Sequence, residues 1–309
     1  MVQQTIFHES WWLDIAAPDG WDVASVVSGG EVMASIPWVR SRSLNMPAMI
    51  TPALCRVLHP VVVVRGNKKE SVNRALLGLV GDLIDSLPAA DFSQCVLGPD
   101  WTDALAWQTR GFRARPLYTY VTHPPRDDAA LLDQIRDTTR RVIRRAREAL
   151  TLEDVSGEAF TELYARFLGD ARPYFSLDRI ALLHAATTAR DQGRAIVARD
   201  ATGQVHSAVF MVWDAHNLYY FMTTRDPERA HAGAVAMLVV EAMGEAARRG
   251  LCFDFDGITT PERLRFMVNF GGTVATRMIV ERTSPLYDAA SGIRRVARRL
   301  RGKSLVLAD

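Results

Sequence analysis

The stretch LYYFMTTRDPERAHAGAVAMLVVEAMGEAARRGLCFDFDGITTPERLRFMVNFGG, residues 218–272, decides the fold. Its opening run, 218–223, alternates as a strand does, with Tyr219, Phe221 and Thr223 on one face and Leu218, Tyr220 and Met222 on the other. A polar, proline-containing loop follows at 224–231. Val235, Leu238, Val239, Ala242, Met243 and Ala246 then recur at helical spacing and lay one apolar stripe on a sheet. Arg248 and Arg249 suit the last turn of that helix, and Gly250 stops it.

The chain re-enters a sheet at 251–256, where alternation places Asp254 and Asp256 on one face about 7 Å apart. Two acids closing an apolar strand are costly unless they act on a ligand or are paired; Arg225, Arg263 and Arg265 are the available partners. Gly257 breaks the strand, 261–270 reads as a second helix, and Gly271-Gly272 turns into a last strand at 273–281. In an open α/β sheet of this order, ligands sit at the carboxyl ends of the strands.

Strand, loop, long helix, strand, helix, "FGG", strand resembles the acyl-donor half of the GNAT acyltransferase fold. The wording YYF…RDP…AGAVAMLVVEAM…RRGLCFDFDG…ERLRFMVNFGG resembles the Fem-type transferases in particular. That resemblance implies an α/β (α+β) chain of tandem GNAT-like domains, each a mixed twisted sheet flanked by helices. It implies an N-acyltransferase, and many Fem-type proteins take aminoacyl-tRNA as donor. The co-substrate is then aminoacyl-tRNA or acyl-coenzyme A, with no tightly bound cofactor, and the acceptor is an amine on a small molecule or peptide. Two departures stand out. Aligned on Gly233, the basic or amide residue that GNAT acetyltransferases carry at this turn is replaced by Ala230, which weakens a coenzyme A pyrophosphate site and favours the tRNA branch. Where peptidoglycan-bridge Fem transferases carry lysine before the FG turn, this chain has Met267, Val268 and Asn269.

At 309 residues, the chain has room for two domains of about 150 residues each. The division expected is 1–125 and 126–309, with the donor cleft in the second, because His123-Pro124-Pro125-Arg126-Asp127-Asp128 reads as a linker. Hydrophobic content of 48% with 23% charged residues is that of a globular protein. Cys55, Cys95 and Cys252 are too scattered for a disulfide framework or a zinc site, so a reduced, cytoplasmic setting is expected. The first residues, MVQQTIFHESWWLD, lack a basic n-region followed by an apolar run, and no window supplies the ~20 apolar residues of a membrane span.

Before the linker, 21–27 and 31–40 form a hairpin around Gly29-Gly30, and the proline-studded 41–60 reads as a loop. A helix is expected at 68–86, a short strand at 95–97, a helix at 101–108 and a strand at 111–121. The order strand, Gly-Pro-Asp, helix, Gly111-Phe112, strand weakly repeats that of the second half. After the linker, one helix is expected over 131–150. Arg140, Arg141, Arg144, Arg145 and Arg147 run along it as a solvated face or as a track for RNA phosphates. The terminal segment 286–301 is again arginine-rich, and 293–303 either meets an anionic membrane surface or RNA, or is a solvated tail.

Acyl transfer to an amine needs a deprotonated nucleophile, donors for the oxyanion and a proton for the leaving group. No GxSxG occurs, so direct attack by the amine is expected rather than a covalent enzyme intermediate. Asp254 and Asp256 are the candidates to hold or deprotonate it, unless they serve only in salt bridges. In the GNAT-like reading Tyr219 flanks the cleft and either donates to the leaving group or packs in the core. Arg225, His231, Ala232, Gly233 and Ala234 lead into a helix start whose amides suit a donor phosphate. Arg172, Tyr174 and Phe175 lie in a loop that can close over the acceptor. The competing readings are an acyl-coenzyme A-dependent N-acetyltransferase, and a non-catalytic RNA- or membrane-surface-binding protein of the same fold.

Overall fold

A computed structural model describes residues 4–65, 68–169, 173, 175–258 and 260–300, the side chains of 295–300 excepted. In chain order the elements are α1 (Ser10–Ala16), β1 (Trp21–Ser28), β2 (Glu31–Ser43), β3 (Met46–Ile50), β4 (Val61–Val62), α2 (Lys69–Asp85), β5 (Phe92–Leu97), α3 (Leu105–Gln108) and β6 (Arg113–Thr122). There follow α4 (Asp128–Asp133), α5 (Asp137–Ala149), β7 (Leu150–Asp154), α6 (Gly157–Leu168), α7 (Asp178–Thr188), β8 (Gly193–Asp200), β9 (Val205–Trp213), β10 (Asn217–Arg225), α8 (Ala234–Arg249), β11 (Cys252–Asp254), α9 (Pro261–Met267), β12 (Thr273–Thr283) and α10 (Pro285–Leu300).

The chain divides into two compact units. One combines residues up to Leu117 with those from Thr276 onward; the other is Tyr118–Ala275. Where the sequence suggested a single cut at 125/126, the first unit thus takes back the end of the chain. The reason lies in β12, whose residues Met278 to Thr283 pair antiparallel with Leu97 to Phe92 of β5.

In the first unit β1 and β2 form the expected hairpin. The proline-rich 41–60 is not all loop: β3 lies within it, antiparallel to β2 and parallel to β5. The turn between β2 and β3 uses Leu44 and Asn45 at φ 54° and 64°, a left-handed pair without the glycine that usually announces such hairpins. Val80, Leu83 and Ile84 of α2 pack with Ile36, Leu97, Trp107 and Val280 in this unit's core.

In the second unit the strands are ordered β6-β11-β10-β9-β8-β7. β9 and the first two-thirds of β10 are buried on both faces, so they read as unbroken apolar runs. On one face α8 and α5 bury Leu238, Val239, Ala242, Ile143 and Ala146 against Met211, Leu218 and Phe253. On the other, Phe160 of α6 and His184 of α7 meet Phe210 of β9 at ring distances of 6.0 and 5.4 Å. The single helix expected at 131–150 is interrupted. Arg136 takes an extended ψ of 136°, and its N–H donates to the Asn269 carbonyl at 2.8 Å, which ends α4 and starts α5.

Candidate active site

β10 and β11 are joined over three positions: Asn217 opposite Cys252, Leu218 opposite Phe253 and Tyr219 opposite Asp254. Beyond them β10 continues to Arg225 bonded to β9, with a register shift between Tyr219 and Met222. The chain after Asp254 stays with β6 instead, as Phe255 N–H donates to the Tyr120 carbonyl (3.0 Å) and Ile258 N–H to that of Tyr118 (2.9 Å). The two parallel strands therefore part at their carboxyl ends, which opens a slot beyond Tyr219 where, among the described residues, β10 pairs with no strand on the β11 side.

The two acids sit at the apex of this slot, in a geometry the alternation argument did not foresee. β11 stops at Asp254, and Asp256 is left-handed at φ 63°, so the pair is not one residue apart on a continuing strand face. Asp254 is 3% exposed. Its Oδ1 accepts from the Thr119 hydroxyl (2.5 Å) and from the Asp256 N–H (2.8 Å), while Thr119 Oγ1 accepts from the Gly257 N–H (3.1 Å). A buried carboxylate so bonded acts as a turn former, and the turn it holds presents the half-buried Asp256. Nothing in the sequence singles out Thr119, one of several alternating residues of β6.

Tyr219 is buried, and its hydroxyl donates to Asp214 Oδ2 at 3.1 Å, while Asp214 Oδ1 accepts the N–H groups of His216 and Asn217. It braces the turn at the amino end of β10. Its neighbour Tyr220, the first residue past the last paired position, has a buried hydroxyl that meets no partner among the described residues. Burial pushes that phenol well above its ordinary range.

At the start of α8 the expected donor residues are gathered but largely engaged. Gly233 N–H donates to His231 Nδ1 (3.1 Å) and Ala234 N–H to the His231 carbonyl (3.0 Å). His231 N–H in turn donates to His206 Nδ1 (3.0 Å), and His206 Nε2 meets Asp200 Oδ2 (3.0 Å). The Thr202 hydroxyl and His206 hold the Asp200 carboxyl below the usual carboxylate range. Glycine is required at 233 because a Cβ would come within 2.8 Å of the Val142 carbonyl and Ala146 Cβ of α5. Ala232 and Arg225 are exposed at the loop's two ends.

Of the acceptor loop, Arg172 and Tyr174 lie outside the described residues; Phe175 is half-buried just ahead of α7. The arginines of α5 divide into three groups. Arg140 is tied to Asp133 (3.0 Å) and Asp137, and the Arg140–Asp137 pair lines a concavity of ≈ 510 Å³ together with the unpaired Arg141, Arg144 and Arg147 and with Leu132 and Ile143. Arg145 is exposed and does not line it. All three thiols are unsuited to nucleophilic attack: burial pushes Cys55 up to about 12, raises Cys95 further, and with the Asp254 charge pushes Cys252 up to about 11.

Residues 127–262 match the family model described as an acetyltransferase (GNAT) domain. No curated protein matches the chain in sequence. Among solved structures FemX matches with a TM-score of 0.65 at 14% identity, over 92% of this chain and 94% of FemX. The C-terminal domain (DUF2156) assigned to lysylphosphatidylglycerol synthetase of Agrobacterium fabrum gives 0.56 at 15% identity, covering 96% and 92%. A tandem GNAT protein from the clavulanic acid biosynthesis pathway gives 0.53 at 13%, covering 88% and 86%. At these identities the likeness is one of fold: this is a tandem GNAT-fold chain. Its fold is like that of FemX.

Proposed function

We propose that the protein is an N-acyltransferase that seats its acyl donor in the slot between β10 and β11 and passes the acyl group to an amine held by Asp256. The observation that carries this reading is the parting of the two strands past Tyr219 and Asp254, next to the start of α8. The GNAT match over 127–262 spans that slot and supports it. Asp256 orients the acceptor and takes its proton, and the amine nitrogen attacks the donor carbonyl. A C–N bond forms as the donor C–O or C–S bond breaks, and the proton passes to the leaving oxygen or sulfur. Asp254 and Thr119 are positioning residues that fix the left-handed turn at Asp256.

Of the two donors, aminoacyl-tRNA is favoured over acyl-coenzyme A. A pyrophosphate at the start of α8 would compete with His231 for the Gly233 and Ala234 amides, which the chain itself already engages. Arg225 and Ala232 remain at the slot's rim for donor contacts, and Phe175 lies in the segment assigned to the acceptor. The test is to supply charged tRNA and, separately, acyl-coenzyme A, each with a mixture of amines, and follow acyl transfer by mass spectrometry. Transfer from either donor that Asp256→Asn abolishes is expected; transfer undiminished by that change removes Asp256 from the mechanism, and no transfer from either removes the reading.

A further inference from the structure

We propose that Arg141, Arg144 and Arg147 form a binding site for the phosphate backbone of RNA on the outer face of α5. The inference deepens the donor reading above and rests on it for which RNA is bound. The charge balance comes first. Between Asp137 and Ala149, α5 carries five arginines against Asp137 and Glu148, so this one helix holds more net positive charge than the +2 of the entire chain. Like charges three and four residues apart repel on a helix, and Arg141, Arg144, Arg145 and Arg147 are spaced that way. Acidic side chains elsewhere in the molecule neutralise comparable arginines: Arg194 meets Asp154 and Glu241, Arg249 meets Asp191 and Glu245, and Arg110 meets Asp85. On α5, Arg140 alone is neutralised in that way; Arg141, Arg144 and Arg147 make no ion pair among the described residues.

Shape is the second observation, independent of charge. The three unpaired arginines line the concavity of ≈ 510 Å³ together with the buried Ile143, the half-buried Leu132 and Asp137, whose carboxylate is taken up by Arg140, also in the lining. From Arg141 to Arg147 the helix rises about 9 Å, the span of two or three phosphates along one strand. Guanidinium forks suit phosphate oxygens in bidentate geometry. A membrane surface is the poorer match here. A helix lying on lipid inserts large apolar side chains beside its basic ones, and none of the exposed large apolar residues belongs to α5. The opposite face of α5, at Val142 and Ala146, packs on Gly233 at the start of α8, so the arginine face lies about one helix diameter, ~10 Å, from that helix start.

The test measures binding of bulk deacylated tRNA to the full chain as salt is varied between about 0.05 and 0.2 M. Three phosphate contacts give a slope of log K against log salt of roughly −2 to −3. The triple variant R141Q/R144Q/R147Q is expected to flatten that slope and weaken binding on the order of a hundredfold at about 0.1 M salt. The corresponding triple lysine variant keeps most of the slope, and R145Q keeps both slope and affinity. Thermal melts confirm that each variant is folded. A wild-type affinity that the triple glutamine change leaves intact, or retention on phosphatidylglycerol vesicles but not by tRNA, overturns the proposal. Thiol release from acyl-coenzyme A on the same preparations separates the two readings. Turnover without tRNA affinity sinks the RNA site and leaves the transferase. Arginine-dependent tRNA affinity without acyl transfer from either donor does the reverse.

Discussion

Each unit contains a parallel strand pair joined over three positions, β3 with β5 in the first and β10 with β11 in the second, and the two treat the space beyond those positions in opposite ways. After β3 the chain folds back against β5. Val96 N–H donates to Thr51 Oγ1 (3.1 Å), Leu58 N–H to the Val96 carbonyl (2.9 Å), the Cys95 thiol to the Leu58 carbonyl (3.0 Å) and Gly98 N–H to His59 Nδ1 (3.2 Å). Among the described residues no comparable set of bonds runs from the chain after β10 to β11, and the buried Asp254 is turned to shaping Asp256. The same strand–helix–strand plan is thus sealed in one unit and left open in the other, and the proposed donor site is in the open one.

The largest effect expected from this contrast is catalytic. Asp256→Asn lowers kcat/KM for acyl transfer by about 10²- to 10⁴-fold, the range for loss of a general base. Asp100→Asn, at the corresponding place after β5, leaves it unchanged. Equal losses at both positions would show that the first unit shares in the chemistry.

Acid is expected to weaken the sealed unit first. His8 Nδ1 accepts from the Thr5 N–H (3.2 Å), so Nε2 carries the hydrogen and donates to the His59 carbonyl (2.9 Å). Burial, with His59 close by, lowers its pKa to about 3. The unfolded chain binds a proton below about pH 6.5 that the folded chain refuses until about pH 3. Stability is therefore complete above the first value and is lost as pH falls through the window between them, by roughly 5 kcal/mol at most. His8→Gln flattens that dependence in denaturant titrations followed by the fluorescence of Trp12, which lies in the same unit.

A pair of glycine changes sharpens the comparison at the helices. Gly233→Ala drives a methyl into the Val142 carbonyl and should cost about 1–3 kcal/mol, displacing α8 from α5. In α2, Gly78→Ala meets nothing within 4 Å and should stabilise by about 0.5–1 kcal/mol. Chemical denaturation of the two variants reads both signs.

How much of this was legible beforehand follows from what each feature depends on. Apolar periodicity reports burial, and it located β10 and α8 to within a residue or two because both are packed by the second unit's core. It overran β11, because the strand ends where the Asp254 side chain captures the Asp256 N–H, a local competition that leaves the alternation D-F-D intact. It missed β3 because Pro47 and the Leu44-Asn45 turn mimic a loop, and it merged α4 with α5 because their break depends on a carbonyl at Asn269, 133 residues away from Arg136 in sequence. The arginines were visible as a run. Their division into the ion-paired Arg140, the unpaired Arg141, Arg144 and Arg147 that share its concavity, and the outlying Arg145 needed the positions of Asp133, Asp137 and Leu132.

The smallest effect separates Tyr220 from Ser93, two buried hydroxyls without partners among the described residues, one at the mouth of the open pair and one within the sealed pair. The Thr223 hydroxyl on the same strand eases the burial of the Tyr220 phenol slightly but donates to the Ala208 carbonyl at 3.3 Å and makes no hydrogen bond of good geometry with it. An unsatisfied buried hydroxyl costs about 1–3 kcal/mol, so folding alone would prefer phenylalanine at 220 and alanine at 93. Ser93→Ala should stabilise by about 1 kcal/mol with no change in acyl transfer. Tyr220→Phe should stabilise by a similar amount while lowering kcat/KM about tenfold, the worth of one hydrogen bond to a ligand that enters the slot. Matching melting curves with unequal rates would mark the Tyr220 hydroxyl as kept for the donor, whereas unchanged rates in both would reduce it to an uncompensated packing cost and leave the slot lined by backbone alone.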